Sequence, residues 1–267
     1  MSNTDNTPIE IVSYPSLENM HNTISNDSFI RIIDNKVSYS DFCKYAKPLD
    51  VLLFAGGDFV SSAIRKIERV KLGNGDFSHA GLVATRDLID DNKLVAGKFY
   101  TWEITMGGKL NDGVPDVRGK SFLGVQIREF DRVFDSFRGN LNTKIAWCRL
   151  KNNPFNDPSC DRQNLQTKAT LLYYSTLDKP YESVCCCGCQ LGSALFPIFR
   201  KCVCRTGDER FFCSEFVAYV LKYMNVLSAD INPHDVVPVD FIPGVDQDKS
   251  VDGNHAINCC QKPLYIV

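Results

Sequence analysis

Between residues 50 and 150 the chain carries five short apolar segments, each closed by turn residues, and this spacing constrains the fold more than any other feature of the sequence. Asp50-Val51-Leu52-Leu53-Phe54 runs into Gly56-Gly57 and reads as a buried strand ending in a turn. Residues 77–85 follow as a strand with Phe77, His79, Gly81 and Val83 on one face. In residues 99–105, Tyr100, Trp102 and Ile104 form the apolar face and leave Glu103 on the other side with Thr101 and Thr105. Strands over 125–130 and 144–150 complete the set. Strands this short, with connections this turn-rich, favour an antiparallel sheet over a doubly wound one.

Helices are expected around that sheet. Val60, Ala63, Ile64, Ile67 and Val70 recur at helical spacing, with Arg65, Lys66, Arg69 and Lys71 as a solvated face. Leu165, Ala169, Leu172, Tyr173 and Thr176 mark a second helix. A stronger one opens at Cys213, with Phe216, Val217, Val220, Leu221 and Met224 as its apolar stripe. Pro233, Pro238 and Pro243 preclude long helices beyond it. The expected organisation is a polar N-terminal arm over 1–48, a core domain over 49–245 interrupted by a Cys-rich insert at 183–205, and a C-terminal tail over 246–267.

Composition narrows the function. Hydrophobic residues at 44% and charged residues at 23% are ordinary globular usage, which argues against disorder. A net charge of -2 offers no general attraction to a phosphate backbone, so nucleic acid is not an expected partner. No apolar window reaches the length of a bilayer-spanning helix. The first basic residue is Arg31, so a signal peptide is not expected either, and the compartment reads as reducing, as in the cytoplasm.

Chemistry centres on Cys213. An isolated cysteine on an apolar stripe can simply fill core space. At the first position of a helix it can also be a nucleophile, since first-turn amides and the helix dipole favour a thiolate there. A base must then stand beside it. Of four histidines, His79 alone lies in a regular strand, flanked by the small residues Ser78, Ala80 and Gly81 that leave space for a substrate; His21, His234 and His255 fall in polar or Pro-rich segments and read as surface residues. Glu103, on the next strand, is the acid that could hold the second ring nitrogen of His79, or else an ordinary solvent-facing glutamate.

The order of these pieces carries a resemblance. A strand at 50–54, then Phe77-Ser78-His79-Ala80-Gly81-Leu82, then Trp102-Glu103, then Pro180-Tyr181, and lastly Phe212-Cys213-Ser214-Glu215-Phe216-Val217, resembles the circularly permuted papain-like proteins of the NlpC superfamily, whose known members are bacterial and poxviral. In papain-like enzymes the cysteine helix precedes the histidine strand, whereas here the histidine comes first. The resemblance covers residues 49–241 and includes the segment Asn232-Pro233-His234-Asp235. It implies an α+β fold with a permuted papain-like core, an antiparallel sheet packed against the helix that carries the nucleophile. It also implies a thiol hydrolase or acyltransferase acting on a peptide, amide or lipid-ester substrate through a cysteine acyl-enzyme. Cys213 would be the nucleophile, His79 the base, Glu103 the orienting acid, and Tyr181 either an oxyanion donor or a tyrosine packed on the sheet. That chemistry needs no cofactor. The alternative is a catalytically silent structural or virion protein of the same fold.

The insert departs from the pattern. Half of the twelve cysteines, Cys185, Cys186, Cys187, Cys189, Cys202 and Cys204, lie within twenty residues. Cys187, Cys189, Cys202 and Cys204 make two Cys-x-Cys pairs that suit a tetrahedral structural zinc. Cys186 with Cys189 suits a redox pair. Acylated cysteines beside Leu191, Leu195, Phe196, Ile198 and Phe199 would instead give a peripheral membrane contact. Thiols without a role are the remaining reading.

Overall fold

In a computed structural model of the protein, the described residues are 35–56, 76–105, 113–121, 124–138, 143–180, 211–243, 257 and 259–267. The chain divides into two units, residues 1–31 and 32–267; the first lies outside the described residues, as does the helix expected over 60–70.

The second unit is a mixed α+β structure built on a seven-stranded sheet. Its strands are β1 (Lys36–Val37), β2 (Val51–Ala55), β3 (His79–Ala84), β4 (Tyr100–Thr105), β5 (Gly124–Glu129), β6 (Lys144–Cys148) and β7 (Leu264–Ile266). They lie in the order β1-β7-β6-β2-β3-β4-β5, with every neighbouring pair antiparallel except β1 and β7. β2 to β5 are a meander of successive neighbours. β6 then returns to the free side of β2, so the early strand 51–55 sits in the middle of the sheet.

Four α-helices are described: α1 (Tyr39–Tyr45), α2 (Phe130–Arg138), α3 (Arg162–Thr176) and α4 (Cys213–Tyr223). Ser38 caps α1 by accepting from the Asp41 amide at 3.0 Å, and Asp161 caps α3 in the same way through Asn164. Among the described residues after α4, helical structure is limited to two short 3₁₀ turns, Pro233–Asp235 and Pro238–Phe241.

β1 and α1 lie within the 1–48 segment and belong to the sheet unit, where Phe42 of α1 is fully buried. The tail contains β7, which pairs with both β6 and β1. Strands of two or three residues are too short to show an alternation, and their ladder partners rather than their own sequence hold them. Phe130 does not end a strand but opens α2, whose Phe130, Val133, Phe134 and Phe137 follow the i, i+3, i+4, i+7 spacing of a helix face.

The register gives the sheet two different faces. Val51, Leu53, Ala80, Leu82, Trp102, Ile104, Val125 and Ile127 share the face covered by α3 and α4, where Trp102 meets the Phe216 ring edge-on at 5.7 Å and the Tyr173 ring at 6.2 Å. Each fully buried aromatic or aliphatic side chain of this kind contributes about 1.5–3 kcal/mol. On the other face, Leu52, Phe54, Ile145 and Trp147 pack under α1 and α2, with Phe42 edge-on to Trp147 at 5.5 Å and Phe137 against Phe54 at 5.4 Å. The same face continues across β3, β4 and β5 as His79, Gly81, Thr101, Glu103, Thr105, Gln126 and Arg128. A polar strip inside a folded core must find its partners within the protein.

Candidate active site

Cys213 opens α4 and is 5% exposed. The helix starts here because Phe212 is extended and its amide is taken by the Glu215 carboxylate, which reaches back from the first turn at 3.2 Å. Ser214 donates to the Val236 carbonyl at 2.7 Å and ties the helix start to the segment after α4. Phe216, Val217, Val220 and Leu221 fix the helix against β3 and β4. The first turn, whose amides lack acceptors within the helix, is thereby set at the end of the sheet where β3 begins.

His79 is the first residue of β3, and its ring lies within hydrogen-bonding reach of the Cys213 thiol. The helix packs on one sheet face and Glu103 lies on the other, so the histidine at the strand end links the two. Its Nε2 stands 2.5 Å from Glu103 Oε2. The nitrogen left for the thiol is therefore Nδ1. The Cys213 sulfur also accepts from the amides of Ala80 and Ser214.

Glu103 is fully buried and not a surface glutamate. Its Oε1 accepts from Thr101 Oγ1 at 2.5 Å and from Arg128 Nε at 2.8 Å, while Oε2 faces His79. Gly81 lies opposite Glu103 in the register, and a Cβ there would come within 3.2 Å of the Glu103 Cβ and 3.6 Å of the Phe54 ring. The small residues around His79 thus do not make room for a substrate as expected: Gly81 makes room for Glu103, Ala80 is buried under α4, and the Ser78 hydroxyl accepts from the Gly56 amide at 3.2 Å.

The charge states follow from this packing. Burial alone would push the Cys213 thiol up, but the His79 charge, its hydrogen bond and the two amides outweigh that and hold it below the ordinary thiol range. Burial likewise works against a charged His79, yet the facing thiolate and Glu103 push it up to about 10. For Glu103, burial is opposed by the Arg128 guanidinium and by His79, which together hold the carboxyl well below the usual carboxylate range. Each group thus favours the charged form of the other, a thiolate facing an imidazolium, and the two titrate as a unit.

Cys213, His79 and Glu103 are therefore brought together from three elements. Tyr181 and the cysteines Cys187, Cys189, Cys202 and Cys204, with the rest of the 183–205 insert, lie outside the described residues. Among the described residues no group of three or more His, Cys, Asp or Glu side chains is placed to hold a metal ion, and no helix is long and apolar enough to cross a membrane. His234 is exposed, as expected, but its Nδ1 meets the buried Glu215 carboxylate. Sequence reasoning passed over Arg128. The alternation in 124–129 sets Gln126 and Arg128 on the face opposite Val125 and Ile127, but only the fold shows that this face is buried as well. No family model matches the chain, and no curated protein matches it.

Proposed function

We propose that the protein is a thiol hydrolase or acyltransferase acting on an amide or ester, with a permuted papain-like core. The observation that carries this reading is the contact of a helix-opening cysteine with a strand histidine whose far nitrogen is held by a buried carboxylate. Few structural cysteines have such a neighbourhood, because burying a thiolate–imidazolium pair without a use is costly.

The Cys213 thiolate adds to the substrate carbonyl carbon. The Cys213 amide, in the first helical turn, has no acceptor within the helix and is the candidate donor to the oxyanion. Collapse of the tetrahedral species expels the amine or alcohol, which takes a proton from His79 Nδ1 and leaves an acyl-enzyme. Water or another acceptor then attacks the thioester while His79 takes its proton, and Cys213 leaves as thiolate. Glu103 keeps the ring oriented and stabilises its charged form throughout.

The test is treatment of the full-length protein with iodoacetamide and with an activated aryl ester at pH 6, followed by mapping of the modified residue. Cys213 should alkylate faster than every other thiol and trap the acyl group. His79→Ala should slow acylation by roughly 10²-fold or more. Alkylation of Cys213 at the rate of an ordinary thiol would remove the enzymatic reading and leave a catalytically silent structural protein of this fold.

A further inference from the structure

The polar strip contains one more buried charge than a Cys-His-Glu site uses. Arg128 is 2% exposed, lies on β5 opposite Thr101, and donates through Nε to Glu103 Oε1 at 2.8 Å, on the carboxylate oxygen that His79 does not use. Thr101 donates to the same oxygen. Glu103 is thus held from both ends, one oxygen by β4 and β5 and the other by β3.

We infer that Arg128 is a positioning residue of this site: its guanidinium fixes Glu103 and balances that carboxylate's charge, so that the positive charge on His79 is left for Cys213. This deepens the thiol-hydrolase reading and rests on it. The four groups Cys213, His79, Glu103 and Arg128 comprise two anions and two cations. Without Arg128 the imidazolium would stand between two buried anions. One negative charge would then be in excess, and in a site with little solvent an uncompensated charge is removed by taking up a proton. The His79–Cys213 end is where that proton enters: the side chain of His79 is 22% exposed, against none for Glu103. The thiolate is the more basic of the two anions and is the group that protonates. A guanidinium suits the role because it stays charged at any working pH.

The pH dependence of Cys213 alkylation, measured on the full chain by mass mapping, tests this without any substrate. In the wild type the midpoint should lie below the ordinary thiol value. Arg128→Met should raise it by about one unit or more, while Arg128→Lys, which keeps the charge, should bring it back toward the wild type. The double variant Glu103→Gln with Arg128→Met removes both charges together and should return the midpoint to within about half a unit of the wild-type value. A folded Arg128→Met with an unmoved midpoint overturns the inference and leaves the thiol-hydrolase reading standing. An ordinary midpoint in the wild type overturns that reading, and the inference with it. If Arg128→Met does not fold, the double variant decides: a midpoint near wild type supports charge balance, and one at the ordinary thiol value overturns it.

Discussion

Asp50 and Glu103 are both carboxylates sealed inside the same sheet, and their surroundings give them opposite tasks. Asp50 accepts from the amides of Lys47 and Leu150, from Trp147 Nε1 and from Asn153 Nδ2, all between 2.9 and 3.1 Å. Burial pushes its pKa up, and these four donors only partly offset that. No cation faces it among these partners, and it joins the start of β2 to the end of β6. Its use is structural. Asp50→Ala should cost about 3–5 kcal/mol, since four buried donors lose their acceptor, and should lower the urea midpoint of the full chain while leaving Cys213 alkylation intact in the folded fraction. A loss below about 1 kcal/mol would mean that water replaces the carboxylate. Glu103 meets an arginine and a histidine instead, and so keeps its charge for the site.

At the scale of elements, the terminal strands matter more than their length suggests. β7 gives β6 its second partner, through Ala146 and Trp147, and holds the outer strand β1 in parallel register. The Tyr39 amide, at the start of α1, donates to the Val267 carbonyl at 3.0 Å, so α1 and its Phe42 depend on the same strand. Deleting residues 261–267 should therefore uncover the β6 edge and loosen the layer over Trp147. The expected result is a drop of about 2 kcal/mol or more, roughly 5 °C in the thermal midpoint, together with self-association visible by light scattering. A monodisperse variant with an unchanged midpoint would make β7 dispensable. The contrast is α4, which carries a strong apolar stripe of its own and needs no such edge to define it.

Over the whole molecule, the pH dependence of stability sums groups of opposite sign. Glu103 ionises more readily folded than unfolded, so its contribution is present above its unfolded pKa of about 4.3 and is lost as pH falls through the lower folded value. Asp240 runs the other way. Burial pushes it up to about 6, the Val237 amide opposes that, and Asp235 adds to it. Its stabilising contribution holds below its unfolded value of about 3.9 and is lost as pH rises to about 6. Asp240 is only partly enclosed, so solvent screens some of the effect. Asp240→Asn keeps an acceptor for the Val237 amide, bonded at 2.8 Å, and should raise stability by about 1–2 kcal/mol at pH 7 but hardly at pH 4. Thermal midpoints at the two pH values check this. An equal gain at both would trace the effect to packing rather than ionisation.

What the sequence determined by itself is whatever is written in local periodicity. The strand alternation over 100–105 put Glu103 opposite Trp102, the stripe from Cys213 to Met224 defined a helix with a cysteine at its opening, and short turn-closed strands called for an antiparallel sheet. What only the tertiary structure decided is which polar residues share a buried face. Glu103 and Arg128 are 25 residues apart, and nothing local distinguishes a strand arginine that will meet solvent from one that will meet a carboxylate. β1 and β7 are similar cases at the level of elements, because two or three residues carry no period and become strands only by completing another strand's hydrogen bonds. The physical reason is common to both. Periodicity fixes the direction of a side chain relative to its own backbone, whereas charge balance and edge pairing depend on partners brought near by the rest of the chain.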